Sequence, residues 1–165
     1  MADPAKPYIE AVRRLTRRPL TVLELRDRLE RSGHPPVEVE AALERLLADG
    51  SLDDLALSSH YMAARMERLG HGPNRLVREL VRRGVDPPVA REALDTGLEQ
   101  GDLNPERVLE REVRRRISVE SVTPREYRRV YNAMLRAGFE SFAIRRALDR
   151  YRRDPGSTES DYPQE

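Results

Sequence analysis

A chain of 165 residues with 38% hydrophobic, 5% aromatic and 36% charged residues holds too little apolar surface for one deep core, but enough for narrow stripes on stacked helices. The absence of cysteine excludes a disulfide framework and any thiolate metal site, and no apolar run reaches membrane-spanning length or forms a signal-peptide region behind MADPAKP, which points to a cytoplasmic protein. The net charge of +1 conceals an asymmetry: residues 105–153 carry 14 Arg against 7 acids, while residues 154–165 carry four acids and no base.

Residues 1–7 are a flank, and the first predicted unit covers 8–53. Its first helix, from about Tyr8 to Arg17, shows a stripe of Ile9, Val12 and Leu15, and Pro19 closes it by disfavouring helical geometry in the residue before it. Thr21-Val-Leu-Glu24 reads as a capping box, in which the threonine oxygen accepts a backbone N–H and the glutamate reaches back. The helix it opens turns Val22, Leu25 and Leu29 inward and stops at Gly33 in a left-handed cap. After the His34-Pro35-Pro36 turn, a third helix is expected to bury Val39, Ala42, Leu43, Leu46 and Leu47 before Gly50.

The second unit, 54–104, repeats this grammar. Asp53 or Asp54 caps a helix whose apolar positions are Leu57, Tyr61, Met62, Met66 and Leu69. Gly72-Pro73 starts the next, with proline in the first turn where its missing N–H costs nothing, and Leu76 and Leu80 face inward until Gly84. Ala90, Ala93, Leu94 and Leu98 mark the third. The third unit, 105–153, opens on Asn104-Pro105 with a stripe of Val108, Leu109, Val113 and Ile117. Thr123-Pro-Arg-Glu126 forms another capping box before Val130 and Met134, and Ile144 and Leu148 mark the last helix. Residues 154–165 read as a disordered acidic tail.

A shift of 51 residues lays Leu76 on Leu25, Leu80 on Leu29, Gly84 on Gly33, Leu94 on Leu43 and Leu103 on Leu52. A shift of 54 then lays Gly138 on Gly84, Phe139 on Val85 and Leu148 on Leu94, the difference arising from a longer middle helix in the third unit. One supersecondary unit used three times predicts an all-α chain of three tandem three-helix repeats, stacked into an elongated curved array.

No catalytic constellation emerges. His34, His60 and His71 are isolated from one another, so no metal-ligand spacing exists, and His34 occupies a turn position held elsewhere by Val85 and Phe139. Gly70-His-Gly-Pro73 has glycines but neither a preceding strand nor a Lys-Ser/Thr ending, so it breaks a helix and does not cradle a phosphate. Asp53-Asp54 sits where acids cap helices, and no serine lies in a nucleophile elbow. No enzyme activity, metal or cofactor is therefore expected. Arginine is the remaining signal, being suited to bidentate phosphate or carboxylate contacts. The candidates for partner binding are Arg65, Arg68, Arg78 and Arg82 in the second unit. In the basic third unit they are Arg114, Arg115, Arg116, Arg128, Arg129, Arg145 and Arg146.

The order and spacing of several short motifs resemble the RecX family, regulators of the RecA recombinase. They are Thr21-x-x-Glu-Leu25-x-x-x-Leu29 with Gly33, Gly50-Ser-Leu52-Asp53-Asp54, Tyr61, Arg65 and Gly70-His-Gly-Pro73. Arg78-Glu-Leu80-x-x-x-Gly84-Val85, Leu135-Arg-Ala-Gly138-Phe139 and Ile144-Arg-Arg-Ala-Leu148 complete the set, which spans about residues 8–152. The chain departs from the family pattern at Leu57-Ser58, where an aromatic and an alanine are usual, and at His34, usually apolar. The resemblance implies a protein lying in the groove of the RecA–single-stranded DNA filament. It would block filament extension or promote disassembly, and so restrain recombination, DNA repair and the SOS response. It also implies no cofactor and no small-molecule substrate; a monomer with weak direct DNA contact and no membrane association is the expectation. The alternative is a helical repeat or helix-turn-helix regulator acting directly on nucleic acid.

Overall fold

The computed structural model describes residues 5–117 and 122–151, so the acidic tail expected at 154–165 lies outside the described residues. Within them the chain is all-helical, without strands. The first three helices are α1 (Ala5–Arg17), α2 (Val22–Arg31) and α3 (Pro36–Ala48). Then come α4 (Asp54–Leu69), α5 (Pro73–Arg82) and α6 (Pro87–Glu99), followed by α7 (Pro105–Arg114), α8 (Pro124–Ala137) and α9 (Ser141–Asp149). Each successive triplet packs on itself, and α4 meets α7 where the second and third triplets join. The tandem three-helix architecture read from the recurrence is the architecture observed.

Local chemistry sets the helix ends. Both capping boxes form: Thr21 accepts from the Glu24 N–H at 3.1 Å, and Thr123 accepts from the Glu126 N–H at 3.3 Å. Asp53 is the cap of α4, accepting from the Leu55 and Ala56 N–H groups, and Asp54 is thereby left for another task. The glycines that recur in register close α2, α5 and α8 with the same turn. Gly33, Gly84 and Gly138 have φ of +88°, +89° and +95°, a region that costs a side chain about 1–2 kcal/mol. The next residue's N–H then reaches back to the helix: His34 to the Leu29 carbonyl, Val85 to that of Leu80, and Phe139 to that of Met134. This Schellman closure explains why a glycine recurs four residues after Leu29, Leu80 and Met134.

The repeat-equivalent core positions are buried, with Leu25 and Leu76 at 0% exposure and Val130 at 1%. Several faces differ from expectation. In α1 the inward stripe is Tyr8, Ala11 and Leu15, while Ile9 and Val12 are exposed. The small Ala11 is the fully buried one, and α1 packs mainly against α3 and also against α2. Leu47, Leu69 and Leu98 lie in the last turns of their helices and are exposed. Behind Leu47 and Leu98 a glycine turn folds the following loop back, and the loop leucines Leu52 and Leu103 fill the core. Their N–H groups donate to the carbonyls of Leu46 and Gly97 at 3.0 and 2.9 Å. Gly97 is buried because Leu103 lies over it, leaving no room for a Cβ.

The core is divided unequally. Ala11, Leu20, Leu25, Leu29, Val39, Leu43, Leu46 and Leu52 form a cluster confined to the first unit. The second and third units share one continuous cluster, from Met62 and Leu80 through Val108 to Ile144 and Leu148. Their junction brings backbones close together. The Gly72 and Asn74 N–H groups donate to the carbonyls of Ala137 and Gly138, and a Cβ on Gly72 would lie 2.4 Å from the Gly138 carbonyl carbon. The Gly70-His-Gly-Pro73 segment is thus a helix break, as expected, that also seats the third unit.

Candidate partner-binding surfaces

The first unit is held to the second by polar groups. Arg83, at the end of α5, donates from Nε and a terminal nitrogen to the two carboxylate oxygens of Glu24, each at 2.9 Å. The Thr21 hydroxyl donates to the Arg83 carbonyl at 2.7 Å, and Asp54 accepts from the Val22 N–H at 3.0 Å. Burial pushes the Glu24 carboxyl up, but hydrogen bonds from Arg83 and the Thr21 backbone more than offset it and hold the group below its ordinary value. Burial raises Asp54, and the neighbouring Asp53 and Glu24 carboxylates add to this against the Val22 N–H and Arg83. Leu23 completes the joint by packing over Gly84, where a side chain could not fit.

Beside this joint lies an open cleft of about 760 Å³. Leu15, Leu20, Leu52 and Leu57 give it apolar walls, and Arg18, Arg65 and Arg83 bring three guanidinium groups to it, with His60 and Tyr61 between. The guanidinium carbons of Arg65 and Arg83 stand 5.0 and 5.3 Å from the centre of the Tyr61 ring, within cation–π range. The Tyr61 hydroxyl donates to Glu79 at 2.9 Å, and Glu79 also accepts from Arg75 at 2.7 Å. Burial and the neighbouring Glu79 together raise the Tyr61 phenol.

The predicted arginines do not form one patch. Arg65 lines the cleft. Arg68, Arg78 and Arg82 are exposed, and the Arg78 Nε donates to the Asn74 carbonyl one turn back. In the third unit Arg115 and Arg116 converge on Glu112, at 3.5 and 2.5 Å. Arg129 from α8 donates to the Arg116 carbonyl, bringing these three together. Burial raises Glu112, but Arg116 first and then Arg115 and Arg111 hold it below its ordinary value. Arg146 pairs with Glu106, and Arg150 with Glu110, tying α9 to α7. Arg107 and Arg111 both reach Glu67 across the second junction. Many of the third unit's arginines are thus engaged in ion pairs, while its excess of Arg over acids remains. Among the described residues Arg114, Arg128 and Arg145 are exposed without a carboxylate partner; Arg128 and Arg145 donate to the Pro124 carbonyl and the Ser141 hydroxyl.

Sequence reasoning missed Arg18, Arg83, His60 and the cleft itself. One signal was available: Arg83 corresponds by the two shifts to Ser32 and Ala137, so a charge stands where the other units have small residues. Among the described residues no His, Asp or Glu cluster could hold a metal ion, and no helix is long and apolar enough to cross a membrane.

Residues 8–46 match the family model described as "RecX, first three-helix domain", and residues 53–94 match "RecX, second three-helix domain". A regulatory protein RecX of Halorhodospira halophila is 41% identical over 85 residues, covering 52% of each chain, and one of Chromohalobacter salexigens is matched over 59% of its length. The chain therefore spans only part of the length of those two relatives. Similarity to other members runs through nearly the whole chain. The regulatory protein RecX of Thermobifida fusca is 32% identical over 92% of this chain and 81% of its own. The fold matches the crystal structure of RecX from Lactobacillus salivarius with a TM-score of 0.76 at 18% identity, covering 90% of this chain and 96% of that one. The regulatory protein RecX of Trichlorobacter lovleyi is 30% identical over 90% of this chain and 97% of its own length, and with that extent of similarity the chain belongs to the RecX family of regulatory proteins.

Proposed function

We propose that the chain is a cytoplasmic, monomeric regulator that binds the RecA–single-stranded DNA filament along its groove. It acts by binding, not by catalysis, and restrains filament growth, with recombination, repair and the SOS response as the processes affected. Its working units are the repeats 8–53, 54–104 and 105–153, flanked by 1–7 and the acidic 154–165. The observation that carries this reading is the distribution of uncompensated arginines on a tandem helical scaffold. Arg65 lies in the second unit, and Arg114, Arg128 and Arg145 are exposed in the third. Cations spread over successive units suit an extended, negatively charged partner better than a compact substrate, and weak contacts gain avidity when several engage together.

The test is co-sedimentation with preformed RecA filaments, beside an anisotropy titration on bare single-stranded DNA. Filament binding is expected to exceed binding to DNA alone. Charge reversal at Arg114, Arg128 and Arg145 should weaken it without altering helicity, and the effect should shrink as salt rises, because exposed charges are screened beyond roughly 8 Å at physiological ionic strength. Equal affinity for filament and bare DNA would instead favour a direct nucleic-acid regulator.

A further inference from the structure

We infer that the cleft between the first and second units is a docking site for an acidic segment of a partner protein, anchored by apolar side chains. The repeat itself supplies the first argument. Position 10 of the first unit corresponds to 61 in the second and 112 in the third, and position 14 corresponds to 65 and 116. In two of the units this pair is a glutamate with an arginine four residues on: Glu10–Arg14 at 2.6 Å and Glu112–Arg116 at 2.5 Å. In the second unit the glutamate is replaced by Tyr61, whose ring takes the arginine and whose hydroxyl is committed to Glu79. Arg65 is therefore the one member of the series without a carboxylate among the described residues, and it is the one that lines the cleft.

The second argument is the composition of the cleft. Arg18 stands on the opposite, first-unit side, exposed and without an ion pair among the described residues. Arg83 is neutralised by Glu24, and the lining acid Asp53 is occupied in capping α4, where the helix N-terminus offsets its charge. What remains is two available guanidinium groups above leucine walls. Carboxylates flanking an apolar side chain complement that surface, and about 760 Å³ admits a few side chains of such a segment. A nucleic-acid strand fits less well, because Tyr61, the larger of the two rings lining the cleft beside His60, already has Arg65 and Arg83 lying against it.

The inference deepens the filament-binding reading and rests on it in making the partner a protein. Its test is anisotropy on the full chain with a short fluorescein-labelled peptide of Asp and Glu residues around one Leu and one Phe, run beside a labelled oligo(dT). The wild type should bind the peptide, less so at higher salt. The double variant Arg18→Glu, Arg65→Glu should bind it about tenfold or more weakly, while Arg136→Glu, at an exposed position away from the cleft, behaves as wild type. Arg65→Gln, which keeps a polar side chain and removes the charge without reversing it, should weaken binding by a smaller factor, and circular dichroism should show unchanged helicity for each. Absence of peptide binding by the wild type, or equal binding by the double variant, overturns the proposal. So does a loss of oligo(dT) binding in place of peptide binding, which would make the cleft a nucleic-acid groove. Filament co-sedimentation separates the two readings. Peptide binding in the cleft by a protein that fails to sediment with filaments upholds this site and overturns the filament reading. A wild type that sediments with filaments but does not take the peptide overturns the cleft alone.

Discussion

His34 stands where the other repeats carry Val85 and Phe139, and this changes what holds its turn. Val85 and Phe139 are buried, whereas His34 donates from Nε2 to Glu10 at 2.8 Å, against α1. Glu10 also accepts from Arg14 and from the Ser32 hydroxyl. The hydrogen bond from His34, first, and those from Arg14 and Ser32 outweigh partial burial and pull the Glu10 carboxyl from 4.5 down to about 2. A carboxyl depressed in the folded state is stabilising above its unfolded pKa, and that contribution disappears as pH falls through the folded value. The expected result is that Glu10→Gln lowers the melting temperature near neutral pH, and that the gap from wild type closes between pH 4.5 and about 2. A gap that stays constant across that window would contradict the role given to Glu10. Sequence periodicity correctly makes His34 a turn residue but cannot show its partner, which lies 24 positions away. The pair between Glu24 and Arg83, 59 positions apart, was equally invisible. Charge partners across helices leave no periodic trace, unlike leucines, which recur because each unit must bury the same face.

At the scale of the element, the glycine turns after α2 and α5 share a conformation but not an environment. Nothing would touch a Cβ at Gly33, whereas one at Gly84 would lie 2.3 Å from Leu23 Cδ2 and 2.6 Å from its Cβ. Gly33→Ala should therefore lose only the left-handed preference, about 1 kcal/mol, while Gly84→Ala should lose about 2 kcal/mol or more because the joint with the first unit must also shift. Urea denaturation midpoints for the two variants measure the difference, and equal losses would contradict the packing of Leu23 over Gly84. The helices were readable because caps, prolines and glycine stops are local chemistry. The exposed ends at Leu47, Leu69 and Leu98 were not, since which leucine fills the end of a helix depends on how the following loop folds back. Leu52 and Leu103 do so only because glycine turns precede them.

For the whole molecule, the division of the core predicts unequal stability. The first unit has its own apolar cluster, while the second and third share theirs. Amide hydrogen exchange should therefore show the second and third units protected as one block and the first exchanging separately. Arg83→Ala would leave Glu24 without its bidentate partner, and it should speed exchange in α1–α3 while leaving α7–α9 close to wild type. Uniform acceleration through all nine helices described would mean that the units unfold together. The triple repeat is legible in the sequence because it comes from side-chain size in register. The unequal joints are not, because they depend on single residues that break the register: Arg83 at one, Gly72 at the other.

The polar character of the first joint sets how it responds to temperature. Heat-capacity changes come mainly from apolar surface entering water, and the bonds between Arg83 and Glu24, Thr21 and Arg83, and Val22 and Asp54 expose little of it when they exchange for water. The free energy of parting the first unit from the second should accordingly run nearly straight with temperature. Parting the second from the third, through their shared leucines, should instead trace a dome with a temperature of greatest strength.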